Sequence, residues 1–234
     1  MKKALGVLGG MGPQATADFL QKVIEYTYVE QESDHIRIYI DNNPQIPDRM
    51  KALLQNGPSP VSAMADSVKK LEACGADLIL MPCITAHNFH DELLKEAVVP
   101  FPNFPEIVAK ACKKIYGAKT AGVLSTEATL KMRTILSKLD VEEVPYITPN
   151  QAEQDEITRL IYAVKTNKAM GPVVEDFQAI LNQMKGRGAD YFVLGCTELP
   201  VIGNACPAGY EFLDITSELA KAAVELCGAK LRQL

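Results

Sequence analysis

Short apolar runs alternate along the chain with segments whose apolar residues recur at helical spacing. The apolar runs predict strands over residues 4–8, 36–40, 78–81, 120–124, 144–147, 191–194 and 211–214. Helical spacing predicts helices over residues 13–27, 61–71, 85–96, 107–115, 126–139, 157–164, 173–184 and 216–227. Because the strand runs are continuously apolar and alternate with helices, they indicate an α/β fold with mainly parallel sheets covered on both faces.

A glycine-alanine-aspartate segment occurs twice, and each copy precedes a cysteine by the same number of residues. Gly75-Ala76-Asp77 leads through an apolar run to Cys83, and Gly188-Ala189-Asp190 leads through another to Cys196. A helical pattern precedes each glycine. Each copy therefore predicts a strand that presents a thiol at its carboxyl end.

The opening of the chain is also repeated, because residues 6–10 match residues 122–126 at nearly the offset that separates the two cysteines. The proline-rich segment 99–105 is the predicted crossover, after which the pattern restarts. We therefore predict two related subdomains, residues 1–99 plus 210–234 and residues 100–209. Ligands of open α/β sheets bind beyond the carboxyl ends of the strands, so the active site is expected in a cleft between the halves.

Composition narrows the classes of function. The chain has 234 residues, 47% of them hydrophobic, and a net charge of −5, which provides no general basic field for nucleic acid. The longest apolar runs are strand-sized, so no membrane span is predicted. The apolar start resembles a secretory signal only until Gly9 and Gly10, and we interpret it as a first buried strand. Six scattered cysteines without a Cys-x-x-Cys pair predict a reducing, cytoplasmic location rather than a disulfide framework.

Cys83 and Cys196 are the predicted catalytic residues. Each follows a strand and precedes an expected helix start, at Thr85 and Thr197, where backbone N–H groups and the positive helix end favour a thiolate. One thiolate and one thiol would then act as general base and general acid on opposite faces of a small substrate. The remaining cysteines are interpreted as small buried hydrophobic residues; they are Cys74, Cys112, Cys206 and Cys227.

Two other patterns have competing interpretations. Residues 10–15 formally fit a dinucleotide fingerprint, with Asp41 as the ribose carboxylate, but this leaves the paired cysteines unexplained. An anion-binding turn for a substrate carboxylate explains the glycines better. His87 and His90 have a spacing that suits a metal, yet no second ligand cluster accompanies them, so no metal is predicted and a supporting hydrogen bond from His87 is expected.

Two cations stand out as partners for an anionic substrate. Arg49 ends a loop rich in turn-forming residues after the second strand, and Lys165 ends a predicted helix. Arginine suits bidentate binding of a carboxylate. A solvated surface charge is the alternative for both residues.

Several motifs together resemble the cofactor-independent aspartate/glutamate racemases, and among them the aspartate racemase branch. The opening residues 6–16 resemble the first signature of that branch, and residues 42–49 resemble its second. Residues 82–87 and 194–199 resemble the two cysteine motifs. Weaker matches are residues 125–129 and 161–165. The resemblance covers most of the chain, from Gly6 to about Leu199.

The resemblance implies two pseudo-symmetric α/β/α subdomains, often assembled as a homodimer, in which Cys83 and Cys196 flank the substrate Cα. It implies racemisation of aspartate or a similar acidic amino acid without pyridoxal phosphate, nucleotide, metal or any other cofactor. Thr85 and Thr197 would hold the amino-acid end of the substrate, and Arg49 and Lys165 the side-chain carboxylate. The full predicted substrate-binding set is Met11, Gln45, Arg49, Ile84, Thr85, Thr126, Lys165, Thr197 and Glu198.

One departure from the family pattern bears on the substrate. The first cysteine motif usually reads Cys-Asn-Thr, and here Ile84 replaces the asparagine and removes one polar contact. Glu198, where glutamate racemases usually carry histidine, favours the aspartate branch. The alternatives are a maleate isomerase-like or hydantoin racemase-like enzyme with the same cysteine pair, a non-catalytic amino-acid-binding homologue, and a redox protein that joins the two cysteines in a disulfide.

Overall fold

The computed structural model describes residues 2–166 and 170–233, with the side chains of Lys165 and Met170 left out. The strands are β1 Leu5–Gly9, β2 Ile38–Asn42, β3 Leu78–Leu80, β4 Ala121–Leu124, β5 Tyr146–Ile147, β6 Tyr191–Leu194 and β7 Phe212–Asp214. The α-helices are α1 Pro13–Tyr26, α2 Arg49–Leu54, α3 Val61–Ala73, α4 His90–Leu93, α5 Phe104–Tyr116, α6 Glu127–Lys131, α7 Leu136–Val141, α8 Gln151–Lys165, α9 Met170–Gly186, α10 Leu199–Gly203 and α11 Ile215–Leu226. Within the described ranges, every helix is too short or too polar to cross a membrane.

The chain divides into two compact units, and the first comprises Met1–Ile107 and Thr216–Leu234. Its sheet has the strand order β2-β1-β3, and both pairings are parallel. The central strand β1 is wholly buried, whereas β2 lies at an edge and is partly exposed. Side chains of α3, including Met64 and Val68, pack with Ile79 in the core of this unit.

The second unit comprises Val108–Ile215 and contains a parallel sheet with the strand order β5-β4-β6-β7. Its core is formed by the apolar faces of α8 and α9 against β6, with Ile157, Phe177 and Phe192 fully or almost fully buried. The α/β class and the parallel sheets that the sequence predicts are therefore confirmed in both units.

The repeated Gly-Ala-Asp segment makes the same contacts in each unit. The Asp77 carboxylate accepts a hydrogen bond of 2.7 Å from the Ala4 N–H, and the Asp190 carboxylate accepts one of 2.7 Å from the Thr120 N–H. The backbone N–H of each aspartate returns a bond to the carbonyl of the same partner, at 2.8 and 2.9 Å. Each pair fixes the start of the cysteine-bearing strand to the start of the central strand.

The glycines of the repeated opening also have equivalent roles. A Cβ on Gly6 of β1 would approach the Cβ of Ala76 to 2.9 Å, and a Cβ on Gly122 of β4 would approach Phe192 to 2.7 Å and Ala189 to 3.2 Å. All three distances are shorter than ordinary van der Waals contact, so each central strand needs a glycine where the cysteine-bearing segment packs closely against it.

Several predicted elements differ in extent. The predicted helix 85–96 is a 3-10 helix, Thr85–Phe89, followed by the single turn α4. The predicted helix 126–139 is interrupted between α6 and α7, where Arg133 has a φ of 55°. α8 begins at Gln151, earlier than predicted, because Asn150 and Glu153 form a capping box. The short helix α2 was not predicted, and α10 begins two residues after the helix start that was expected at Thr197.

The predicted domain ranges, 1–99 plus 210–234 and 100–209, differ slightly from the two compact units. Strand β7 pairs with β6 and therefore lies in the sheet of the second unit, although the sequence assigned its residues to the first subdomain. The two boundaries between the units fall within helices, after Ile107 in α5 and after Ile215 in α11.

Candidate active site

Cys83 lies just beyond the carboxyl end of β3, as the sequence predicts. Its backbone N–H donates to the Met81 carbonyl at 2.8 Å, which turns the chain immediately after the strand. The residue is 8% exposed and packs in one apolar cluster with Met11 and Ile46. Because Met11 follows β1 and Ile46 follows β2, the loops beyond three neighbouring strands meet around this thiol.

The glycine-rich turn after β1 is shaped by its own packing. Gly10 has a φ of 86°, and its N–H donates to the Thr16 hydroxyl at 2.9 Å. A Cβ at this position would overlap the backbone of Asn43. The close approach of these two loops therefore explains the glycine without any nucleotide phosphate.

Arg49 is the first residue of α2, and the carboxylate of Asp48 caps that helix by accepting from the Lys51 N–H at 2.9 Å. The Arg49 Nη1 donates to the carbonyls of Ile46 and Pro47 at 3.1 and 3.0 Å. Its Nε is buried and has no hydrogen-bond partner within the ranges that the structure describes. The guanidinium is thus fixed by its own loop and retains an unused donor.

Other predicted residues of the first unit differ in exposure. Gln45 is exposed, and its N–H donates to the Asn43 side chain at 3.0 Å. Thr85 is buried at the start of the 3-10 helix, and its carbonyl accepts from the Asn88 side chain at 2.8 Å. Ile84 is only 3% exposed, so its apolar side chain is packed inside the protein.

His87 is buried and uses both ring nitrogens within the first unit. Nδ1 lies 2.8 Å from the Cys83 carbonyl, so it carries the proton and donates, while Nε2 accepts from the Phe104 N–H at 3.2 Å. Burial lowers the pKa of His87 to about 3, and the ring is therefore neutral near pH 7. The expected supporting hydrogen bond is present, and His90 likewise engages the Phe101 carbonyl at 2.8 Å.

Cys196 occupies the equivalent position in the second unit, beyond β6. It is 9% exposed, and its Sγ lies 2.9 Å from Glu198 Oε2, to which the thiol donates. The Thr197 hydroxyl donates to the same oxygen at 3.4 Å. Cys196, Thr197 and Glu198 are all buried, so a proton acceptor lies directly beside this thiol in a site with little solvent.

Ser125, after β4, connects to the loop of Cys196 and was not among the predicted site residues. Its hydroxyl donates to the Gly195 carbonyl at 2.6 Å, and its own carbonyl accepts from Gln154 Nε2 at 3.1 Å. Its place at the end of the repeated opening was the available signal. The neighbouring Thr126 is buried and caps α6 by accepting from the Thr129 N–H at 3.3 Å.

The expectation of a helix start directly at Thr197 was wrong, because α10 begins at Leu199 and spans five residues. The helix after Cys83 is also short and is of the 3-10 type. A helix of this length has only a small dipole, so the expected contribution of a helix N-terminus at each thiol is small.

The remaining predictions concern Lys165 and the other cysteines. Lys165 ends α8, but its side chain lies outside the described part of the chain. All six cysteines are free thiols; Cys112 and Cys227 are buried as expected, whereas Cys74 is exposed. Burial raises the pKa of Cys227 to about 11, which keeps it an inert thiol.

These features define an α/β protein in which each of two similar units places a buried thiol beyond the carboxyl end of a parallel strand, β3 beside β1 or β6 beside β4. A family model described as Asp/Glu/Hydantoin racemase matches residues 8–223. The chain belongs to this family. The match confirms the family that the motifs indicated and the predicted enzyme class, an amino-acid racemase.

Individual relatives support the same assignment. A broad specificity amino-acid racemase of Bacillus subtilis (strain 168) is 29% identical over 233 residues, which cover 94% of this chain and 96% of that protein. The structure of an aspartate racemase from Picrophilus torridus has a TM-score of 0.85 and 34% identity, covering 98% of this chain and 96% of the other. A glutamate racemase from Francisella tularensis, solved with D-glutamate, shares the fold at a TM-score of 0.63 and 16% identity, with 96% and 81% coverage.

Proposed function

We propose that the protein interconverts L- and D-aspartate without a cofactor, by a two-base mechanism in which Cys83 and Cys196 act on opposite faces of the substrate Cα. The observation that carries this proposal is the equivalent placement of the two thiols, each beyond the cysteine-bearing strand of a similar unit. Two chemically identical groups suit a reaction whose forward and reverse directions are mirror images.

In each turnover one proton is removed from the Cα and one is returned to it. One cysteine thiolate removes the α-proton as the C–H bond breaks, and the electron pair remains on the Cα and its carboxylate. The opposite thiol then delivers its proton to the other face, so the two sulfurs exchange protonation states. For Cys196, Glu198 provides a carboxylate 2.9 Å from the sulfur that accepts the thiol proton and prepares the thiolate.

Removal of an α-proton beside a carboxylate also needs stabilisation of the developing negative charge. Backbone N–H groups of the Gly9-Gly10-Met11 turn and of the residues that follow Cys83 and Cys196 are the proposed donors. Because both thiols are almost buried, these interactions act where little water competes.

Arg49 is proposed to bind the side-chain carboxylate of aspartate. Its Nη1 is held by two loop carbonyls, while its buried Nε has no partner within the described residues and remains a donor for an anion. Lys165 is proposed as a second contact to this carboxylate. The other proposed contacts, mainly to the amino-acid end, are Met11, Gln45, Ile84, Thr85, Thr126, Thr197 and Glu198. The aspartate racemase of Picrophilus torridus supports this choice of substrate.

The direct test compares three cysteine variants with the wild type. L-aspartate and D-aspartate are incubated separately with reduced protein, and chiral chromatography follows the appearance of the opposite enantiomer. We expect Cys83→Ala and Cys196→Ala each to abolish conversion in both directions. Cys74→Ala, which removes an exposed cysteine, serves as the matched control and should retain wild-type activity. Full activity in either of the first two variants would contradict the two-base mechanism.

A broader amino-acid specificity is the second candidate function. The buried, apolar side chain of Ile84 offers no polar contact to a substrate, and the Bacillus subtilis relative is named a broad specificity racemase. A panel of single L-amino acids, assayed for the D-enantiomer, separates the two candidates. Conversion of neutral amino acids at rates similar to aspartate would favour the broader function.

We also propose that the enzyme is a cytoplasmic homodimer. Six free cysteines suit a reducing compartment, and the family resemblance suggests the dimer. Light scattering of the reduced protein measures its mass in solution, and a mass equal to one chain of 25.5 kDa would contradict the dimer.

A further inference from the structure

The peptide that carries Cys83 is held by a buried histidine. His87 Nδ1 donates to the carbonyl of Cys83 itself, and the other ring nitrogen accepts from the backbone of Phe104. Both nitrogens are therefore satisfied by backbone groups, which fixes the ring in a single tautomer and orientation. The ring joins the loop after β3 to the first residue of α5 within one unit.

The peptide that carries Cys196 is held by a different group. The hydroxyl of Ser125, which is fully buried, donates to the carbonyl of Gly195 at 2.6 Å. That carbonyl belongs to the peptide bond immediately before Cys196. The Ser125 backbone is itself anchored by Gln154 Nε2 at 3.1 Å, so the bond is part of a connected buried network.

The geometry points to His87 and Ser125 as positioning residues, each of which orients one of the two cysteines for its own proton transfer. This inference rests on the proposed racemisation. A hydrogen bond to a carbonyl next to the Cα of a cysteine fixes the plane of that peptide. It therefore also fixes the direction in which the cysteine side chain projects from the backbone. Small displacements of a reacting group reduce rates strongly, so loss of either bond should slow one proton transfer in particular.

A racemase offers a readout that separates the two transfers. Because the two enantiomers are equally stable, every variant must show the same kcat/KM in both directions, and rates alone reveal no asymmetry. The primary deuterium isotope effect differs, because it reports how far removal of the α-proton limits each direction. Slowing the transfer at one cysteine raises the isotope effect in the direction that this cysteine initiates and lowers it in the other.

The experiment measures kcat/KM with α-protiated and α-deuterated L-aspartate and D-aspartate. We expect His87→Leu and Ser125→Ala each to lower kcat/KM by about 10-fold to 100-fold. The isotope effect should rise for one enantiomer in His87→Leu and for the opposite enantiomer in Ser125→Ala. His87→Asn keeps an amide donor near the position of Nδ1 and should recover part of the activity with a smaller shift.

His90→Leu is the matched control, because it removes a similar buried hydrogen bond, to the Phe101 carbonyl, that does not involve a cysteine peptide. It should leave the balance of isotope effects as in the wild type. A shift of the same kind in His90→Leu, or unchanged isotope effects in both His87→Leu and Ser125→Ala, would overturn the inference. If His87→Leu does not fold, His87→Asn must still show the shift.

Alkylation separates this inference from the proposed function. Peptide mapping after brief treatment with iodoacetamide measures the rates at Cys83 and Cys196 independently of turnover. We expect the His87 variants to change the rate at Cys83 and the Ser125 variant to change the rate at Cys196. Absence of aspartate racemisation in the wild type would refute the proposed substrate, whereas equal changes at both thiols would refute the positioning roles.

Discussion

The buried imidazole of His87 makes the stability of the protein depend on pH in a defined range. Burial lowers its pKa to about 3, from an ordinary value of 6.5. Between these two values the unfolded chain binds a proton that the folded chain does not. The contribution of neutral His87 to stability is therefore complete above pH 6.5 and is lost progressively as the pH falls toward 3.

The size of this effect follows from the two pKa values. One proton bound only by the unfolded state changes the free energy of unfolding by about 1.4 kcal/mol per pH unit. Lowering the pH from 7 to 5 should therefore reduce the free energy of unfolding by about 2 kcal/mol through His87 alone. The fall in this range depends mainly on the unfolded pKa, because the folded pKa lies well below pH 5.

Urea unfolding at pH 7 and pH 5 measures this effect in the wild type and in His87→Asn. The chain has no tryptophan, so circular dichroism and tyrosine fluorescence are the probes, and their transitions must coincide for a two-state treatment. The wild type should lose about 2 kcal/mol more than His87→Asn over this range. His35→Asn is the control, because it removes a histidine that is only half-buried. An equal loss of unfolding free energy in the wild type and in His87→Asn would refute the assignment of this pH dependence to His87.

Three further substitutions test other parts of the structure. Gly10→Ala should lower the free energy of unfolding by more than about 1 kcal/mol in thermal unfolding, because the new Cβ would overlap Asn43 and the φ of this residue is positive. Gly171→Ala is the control: a Cβ there meets open space in α9, so this variant should be more stable by roughly 0.5–1 kcal/mol. Arg49→Lys should raise the KM for aspartate about tenfold or more with a smaller change in kcat, because lysine lacks the planar set of donors; an unchanged KM would contradict the proposed carboxylate contact. Glu198→Gln should lower kcat roughly 100-fold without loss of folded structure in circular dichroism, because an amide does not accept the thiol proton; wild-type turnover would remove Glu198 from the mechanism.

The positions of the two cysteine-bearing strands can be predicted from the sequence because the same local arrangement occurs in both units. Asp77 and Asp190 each bind the start of a neighbouring central strand, and the glycine before each has a positive φ that only glycine adopts readily. A constraint of this kind appears in the sequence as an exact repeat. The positions of Cys83 and Cys196 after their strands follow from that repeat.

A supporting hydrogen bond from His87 was expected from the sequence, but the contact that Ser125 makes beside Cys196 could not be predicted in the same way. The bond from Ser125 to Gly195 joins residues that are far apart in the chain, and the repeated opening marks the position of this serine without indicating its partner. The early start of α8 is different, because Asn150 and Glu153 form a capping box that is visible in the sequence. The short 3-10 helix after Cys83 depends on tertiary contacts such as those of His87, which override helical spacing.

The most direct test of two-base racemisation follows hydrogen at the Cα during the first few per cent of conversion in D2O. L-aspartate is incubated with reduced protein, and mass spectrometry after chiral separation measures deuterium in each enantiomer. We expect nearly all of the D-aspartate to carry one deuterium while the remaining L-aspartate is still protiated, because one cysteine removes the proton and the other donates a solvent-derived one. Equal deuterium in both enantiomers, or D-aspartate that retains its original proton, would contradict the mechanism.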